Sequence, residues 1–407
     1  MISSAPSSAA LQPAPLRIFL IAGEHSGDAL GAKLIEALHK VSPRSIALAG
    51  IGGELMEANG CASLFPLEEL AVMSPLDVLP RLRSIYGRIR QSVDAVLRFR
   101  PDVLVILDSP EFTHQVARRV RRRDPTIPIV DYVSPSVWAW RPWRARSMRR
   151  YIDHVLAILP FEPEVYVRLG GPLCTYVGHP LIERLAWIDA LPADALRDRL
   201  GIAPGRKILV VLPGSRRSEV KRLMEVFGEA VTLLDAKMEP FEIILPTVST
   251  VRALVEERLQ SWPRRPHILT AETDKFSAMK AATVALAASG TVTLELSLVG
   301  TPMVVAYRVD PIARSLRFLL IAPAIALPNL ILGEKVFPEI LQEACTGEIL
   351  ATTLLPLMQD ATSRAGQAPG LAEVRAKMRV EGDHPSEQAA KIVLDYALTG
   401  REEARRA

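Results

Sequence analysis

Cysteine is scarce: Cys61, Cys174 and Cys345 are the only three in 407 residues, and they lie far apart. That excludes a disulfide framework or a thiolate metal site and fits a reducing compartment. No Asp-x-Asp pair occurs anywhere in the chain. No apolar run is long enough to span a bilayer either, because the longest, Phe318 to Leu332, is broken by Pro323, Pro328 and Asn329. The opening segment, residues 1–15, is rich in Ser, Ala and Pro. It has neither the basic start nor the apolar centre of a signal peptide, and is expected to be a loose tail. There is no internal repeat beyond a two-part echo.

What is present describes a folded chain of two domains: 407 residues, 49% hydrophobic and 23% charged. The mean hydropathy of +0.18 hints mildly at membrane contact. Net charge is +4, yet residues 81–150 hold sixteen Lys/Arg against six Asp/Glu, a local +10 that leaves −6 for the remainder. Such a concentration attracts nucleic acid, an anionic membrane or a phosphorylated substrate, or else arginines simply line exposed helix faces.

From Leu16 onward short apolar runs alternate with helical periods. Ile18 to Ala22 leads through Gly23-Glu24-His25-Ser26-Gly27-Asp28 into the amphipathic stretch Ala29 to Leu38. Further strands are expected at Ile46 to Gly50, Val103 to Leu107, Ile127 to Val133 and His154 to Ile158, with helices at Leu82 to Phe99 and Phe112 to Arg123. Strands separated by helices imply a parallel sheet whose loops at the carboxyl ends bind ligand. One such loop carries Asp108-Ser109-Pro110-Glu111, where Asp108 is either a carboxylate in the crevice or a turn residue before proline. Ser134 to Trp143 then holds three of the five tryptophans, followed by Arg144, Arg146, Arg149 and Arg150. Aromatics mixed with arginine stack bases, sit at a membrane interface, grip a substrate or form a structural cluster. No recognisable nucleic-acid-binding module accompanies them.

The pattern restarts after a helical, Pro-punctuated connector, Leu181 to Pro204. Strands are expected at Lys207 to Leu212, Glu242 to Leu245, His267 to Leu269, Val284 to Ala287 and Met303 to Tyr307, and helices from Pro338 to Leu398. Leu212-Pro213-Gly214-Ser215-Arg216-Arg217-Ser218-Glu219 reads as strand end, phosphate-sized turn and helix start. Ala288-Ser289-Gly290-Thr291 is either a second phosphate approach, with Glu295 one turn on facing ribose hydroxyls, or an ordinary helix start. The fold expected is α/β: two Rossmann-like doubly wound parallel sheets facing one cleft, over residues 16–185 and 186–380, with a C-terminal helix at 381–407 crossing back to the first domain.

Six blocks in order closely resemble the lipid-A-disaccharide synthase family. They are Ala22 to Asp28, Ser134 to Arg141, Leu159-Pro160-Phe161-Glu162, Leu212 to Arg216, Ala288 to Thr291 and Leu327-Pro328-Asn329-Leu330, and the likeness runs from about Ile18 to Ala397. It implies a two-Rossmann (B-type) glycosyltransferase that passes 2,3-diacylglucosamine from UDP, with inversion, to the 6-hydroxyl of 2,3-diacylglucosamine 1-phosphate. The product is the β-1,6-linked disaccharide of lipid A. It also implies a cytoplasmic enzyme held peripherally at the inner membrane face, with no cofactor and no nucleic-acid partner, and it allows a homodimer with intertwined C-terminal segments.

On that resemblance the residues acquire roles. Inversion at an anomeric carbon needs a base on the acceptor hydroxyl and stabilisation of the departing diphosphate. Asp108 matches the base, and Arg216 with Gly214, Ser215, Ser289, Gly290 and Thr291 would meet the phosphates, which is consistent with metal-free stabilisation. Glu295, Asn329 and Gln342 would lie at the nucleotide end. Gly23, Glu24, Ser26, Asp28, Glu111, Trp138 and Arg141 fall on the acceptor side. The arginines of 81–150 would attract the acceptor phosphate and the membrane, while Phe318 to Leu332 and the Trp138 to Trp143 cluster offer acyl chains an apolar landing. Two departures stand out: the family usually has Asp-Ala-Pro-Asp-Phe where Asp108 to Phe112 stand, and Gly where Arg217 stands. A UDP-N-acetylglucosamine 2-epimerase of the same architecture, or a non-enzymatic membrane- or RNA-binding protein, are the competing readings.

Overall fold

The computed structural model describes residues 14–70, 75–309 and 321–404. The expected tail lies almost wholly outside them, as do Phe318 to Leu320 at the head of the apolar stretch. The first half runs β1 (Leu16–Ala22), α1 (His25–Val41), β2 (Ile46–Ile51), α2 (Glu54–Ala58), α3 (Pro75–Phe99), β3 (Val103–Leu107) and α4 (Pro110–Arg123). It continues through β4 (Ile129–Tyr132), α5 (Trp143–Met148), β5 (His154–Ala157), α6 (Glu162–Leu169) and β6 (Leu173–Tyr176). All six strands are parallel, in the order β2-β1-β3-β4-β5-β6. Both faces of the sheet are covered, so central strands such as Val103–Leu107 are buried at every position rather than alternating.

Two short helices, α7 (Leu185–Ala190) and α8 (Ala193–Arg199), form the connector. The second half follows as β7 (Ile208–Leu212), α9 (Arg217–Asp235), β8 (Glu242–Pro246), α10 (Ser249–Arg258), β9 (His267–Leu269) and α11 (Glu272–Ala281). Then come β10 (Val284–Ala288), α12 (Thr291–Val299), β11 (Met303–Tyr307) and β12 (Glu339–Leu341). These strands are also parallel, in the order β9-β8-β7-β10-β11-β12, which is the doubly wound order with a reversal between the first and fourth strands.

Two strands depart from the sequence expectation. β6 is an edge strand with an exposed leucine and no fully buried residue, so it lacks the apolar run that marks the others. β12 falls inside Pro338 to Leu398, where helical segments broken at Glu381 to Pro385 are expected, and its three residues are extended through parallel pairing with β11. The last helix, Pro385–Ala404, inserts Ala389, Ala390, Val393, Leu394 and Tyr396 into the core shared by α1 and the first sheet. Its far end is fixed electrostatically: Arg401 Nε lies 2.7 Å from Asp153 Oδ1, a fully buried carboxylate that also accepts the Ile129 amide and pairs with Arg121.

Candidate active site

Each sheet has one point where strand order reverses, and loops leaving the carboxyl ends there diverge to open a crevice. In the first sheet that point lies between β1 and β3, so the loops at Gly23-Glu24 and Asp108-Ser109 stand side by side. Their approach is close enough to require glycine, since a Cβ on Gly23 would meet Ser109 Cβ at 2.1 Å. In the second sheet the reversal lies between β7 and β10, bringing together the turn Gly214-Ser215-Arg216 and the start of α12 at Ser289-Gly290-Thr291. Gly23, Glu24 and Asp108 thus stand at one reversal point, and Gly214, Ser215, Arg216, Ser289, Gly290 and Thr291 at the other.

Asp108 and Ser109 both adopt left-handed backbone, with φ of 56° and 46°, a conformation that costs non-glycine residues about 1 kcal/mol or more each. The turn is held by Thr113, whose hydroxyl donates to the carbonyls of Asp108 and Ser109 at 2.8 and 3.1 Å. Asp108 is oriented by two donors: Ser26 Oγ at 2.6 Å on one oxygen and the Ser109 amide at 2.7 Å on the other. Ser109 Oγ in turn donates to Glu24 Oε1 at 3.3 Å. The Glu24 carboxyl is raised above its ordinary proton affinity, first by burial and next by the Asp108 charge, while Arg216 from the other half opposes the rise.

Arg216 caps α9, with its side chain 77% exposed toward solvent. Beneath it Glu219 folds back, accepting from the Ser215 and Arg216 amides at 3.1 and 3.2 Å and from Arg216 Nη1 at 2.9 Å. Gly214, at φ 106°, is needed because a Cβ there would lie 2.3 Å from Glu219 Oε2. Of the Gly214-Ser215 amides expected to meet a phosphate, that of Ser215 is thus already taken, while the Arg216 guanidinium faces outward. Half of a capping box stands in the sequence, the glutamate at the third helical position, while the cap residue is an arginine with no acceptor to return the bond. Arg217, where glycine is usual, is the first residue of α9 and carries no positive φ, so its side chain strains nothing.

Other expected contacts have structural duties. Asp28 is buried and its carboxylate accepts from the amides of Gly53, Leu55 and Met56, capping α2 instead of facing an acceptor. Asn329, 1% exposed, donates to Phe337 O and Glu339 Oε1 and accepts from the Val336 and Phe337 amides, which exhausts its amide group. Glu339 accepts the amides of Ile325 and Ala326, and Ser289 Oγ donates to Ile325 O, so Asn329 and Ser289 shape the loop beside α12 rather than offering side chains to a nucleotide. Gln342 accepts the Val309 amide at 3.2 Å. Glu295 pairs with Lys275 at 2.8 Å, a partner that sequence reasoning missed.

On the far side of the first crevice, Glu111 is exposed and pairs with Arg144, with Arg141 3.7 Å away. Arg141 also lies over the Trp140 ring at 3.8 Å. Trp138 donates to Glu162 Oε1 at 3.2 Å and packs edge-on against Phe161. Burial raises the Glu162 carboxyl to about 7. Unforeseen from sequence is a buried chain behind the Asp108 turn: Tyr151 hydroxyl 3.1 Å from His114 Nδ1, and His114 Nε2 3.1 Å from Asp131. Among the described residues no group of three His, Cys, Asp or Glu is placed to hold a metal ion, and no helix is long and apolar enough to cross a membrane.

Two parallel doubly wound sheets with facing crevices define a B-type nucleotide-sugar enzyme fold, and solved structures agree at the level of fold. UDP-GlcNAc 2-epimerase from Neisseria meningitidis superposes with a TM-score of 0.61 at 13% identity, over 94% of this chain and 100% of that one. The glycotransferase of kitacinnamycin gives 0.60 at 16%, over 95% and 100%. Sequence comparison is more specific. Residues 18–393 match the profile of the family described as lipid-A-disaccharide synthetase. The lipid-A-disaccharide synthase of Rhodopseudomonas palustris strain BisB18 is 50% identical over 379 residues, covering 93% of this chain and 95% of its own. That of Bradyrhizobium diazoefficiens is 49% identical over 386 residues, covering 95% and 97%. The chain belongs to the lipid-A-disaccharide synthetase family and is a hexosyltransferase.

Proposed function

We propose that the chain transfers 2,3-diacylglucosamine from UDP to the 6-hydroxyl of 2,3-diacylglucosamine 1-phosphate with inversion. The single observation that supports this reading is the left-handed turn at the strand-order reversal of the first sheet, where Asp108 is oriented by Ser26 and by the Ser109 amide. Asp108, aimed by Ser26 and Ser109, accepts the hydroxyl proton as the acceptor oxygen bonds to the anomeric carbon. The bond to the diphosphate breaks on the opposite face, and its electrons go to the leaving oxygen. Arg216 and the opening amides of α12 meet that charge. The proton on Asp108 passes to water as the product leaves.

The division near residue 185 would separate an acceptor-side domain from a UDP-sugar domain. Substrates with acyl chains require access to lipid, so the enzyme would work in the cytoplasm against the inner membrane face. The test is incubation with UDP-2,3-diacylglucosamine and 2,3-diacylglucosamine 1-phosphate, with mass spectrometry of the lipids. A new species at the mass of the tetra-acyl disaccharide phosphate, with equimolar UDP, is expected. Conversion of unacylated UDP-N-acetylglucosamine to its manno epimer, with no disaccharide, would overturn the proposal in favour of an epimerase.

A further inference from the structure

The arginine-rich zone is divided by the fold. Arg141 and Arg144 sit with Glu111 at the top of α4, beside the cleft, but seven residues along the same helix, at Arg118, the surface is about 10 Å farther down at the helical rise per residue. There, between α4 and the end of α5, lies a groove of about 340 Å³ lined by Arg118, Arg121, Arg122, Ser147, Arg150 and Tyr151. No carboxylate lines it. Arg121 is committed to the buried Asp153, but Arg118, Arg122 and Arg150 have no carboxylate within ion-pair distance among the described residues. Arg118 instead donates to the Tyr151 hydroxyl at 3.1 Å and lies over its ring, which fixes one guanidinium at the wall.

Arg118, Arg122 and Arg150 line one groove without an acidic partner, and no carboxylate on its wall offsets their mutual repulsion. A bound anion would. Guanidinium forks and hydroxyls are the donors that suit tetrahedral oxyanions, which they bind with paired charge-assisted hydrogen bonds. We propose that the α4–α5 groove is a binding site for a phosphate group, distinct from the cleft. Its ligand is a phosphate ester, drawn either from a soluble metabolite or from the head group of an anionic lipid. None of its lining residues belongs to the loops at Gly23-Glu24 or Asp108-Ser109. The inference therefore does not rest on the proposed transfer reaction, and each can fail alone.

The test uses the full chain and two double variants of equal charge change. Arg122→Gln/Arg150→Gln removes two groove cations, whereas Arg146→Gln/Arg149→Gln removes two exposed arginines that do not line the groove. Inorganic phosphate is titrated calorimetrically in one arm. Vesicles of phosphatidylglycerol and phosphatidylcholine in equal parts are sedimented with the protein in the other, at physiological salt. Losing two charge-assisted contacts is expected to weaken binding at least about tenfold in the groove variant and less than about twofold in the control. A selective loss in the phosphate arm identifies a soluble ligand, and a selective loss only with vesicles identifies a head group. Equal losses in both variants would show diffuse electrostatics and overturn the proposal, as would binding that neither variant alters. Thermal melts of both variants establish that they are folded.

Discussion

Glu219 holds the residue that caps its own helix: one carboxylate oxygen is 2.9 Å from Arg216 Nη1 while the other accepts the Ser215 and Arg216 amides. The turn that presents Arg216 is thereby built from within, with a buried anion under an exposed cation. Glu219→Ala should leave those amides without their partner, lower stability by about 1–3 kcal/mol and reduce kcat, because Arg216 is no longer aimed. Glu219→Gln keeps one acceptor and should recover most of the stability but less of the rate. Chemical denaturation and steady-state kinetics on the two variants separate folding from aiming. Equal kcat in both variants and the parent protein would remove Glu219 from the account.

Arg217 lies outside this lock. It is exposed at the first helical position of α9, where no left-handed backbone is required. Arg217→Gly should therefore cost stability, by up to about 1 kcal/mol through backbone entropy. A donor KM that rises in the variant, in a way that added salt diminishes in the parent, would assign Arg217 a phosphate contact. An unchanged KM would leave it as surface charge.

Glu162 gives the protein a pH dependence whose sign follows from burial. Its carboxyl is raised from 4.5 to about 7, so the folded state binds a proton more tightly than the unfolded chain. The stabilisation from that proton is fully present below pH 4.5 and is lost as pH rises through about 7. Glu162→Gln keeps the acceptor for Trp138 and removes the titration. Its Tm should fall less between pH 5 and pH 7 than that of the parent, as read by calorimetry at about half-unit intervals. Parallel Tm curves would contradict this reading.

The C-terminal helix is tied to the first sheet through Arg401 and the fully buried Asp153. Arg401→Ala removes one of the two cations paired with that carboxylate, which keeps Arg121 and the Ile129 amide, and should cost about 1–3 kcal/mol. Amide exchange should quicken first in the last helix and in β5. Exchange unchanged in both segments would show that apolar packing alone anchors the helix.

Ten of the twelve strands were legible as apolar runs, because central parallel strands are buried on both faces and read as unbroken aliphatic sequence. β6 and β12 were not, since an edge strand and a three-residue strand are fixed by pairing rather than by composition. Site positions were legible where backbone chemistry leaves a mark, as at Gly23, Gly214 and the Asp108 turn. What side chains do there was less so. Asp28 and Asn329 carry polar groups in family motifs, yet each is saturated by backbone partners distant in sequence or in the neighbouring loop. The His114–Asp131 pair joins a helix to a strand across the sheet face, and no local pattern announces it.

The central claim is that Asp108 accepts the acceptor proton, and Asp108→Asn tests it most directly. Asparagine preserves the bond from Ser26 but cannot take up a proton. Single-turnover transfer, followed by mass spectrometry of the lipid product alongside calorimetric titration of UDP, should show a rate lower by about 10²–10⁴ with UDP affinity unchanged. Turnover within a few-fold of the parent enzyme, at the same UDP affinity, would show that another group is the base.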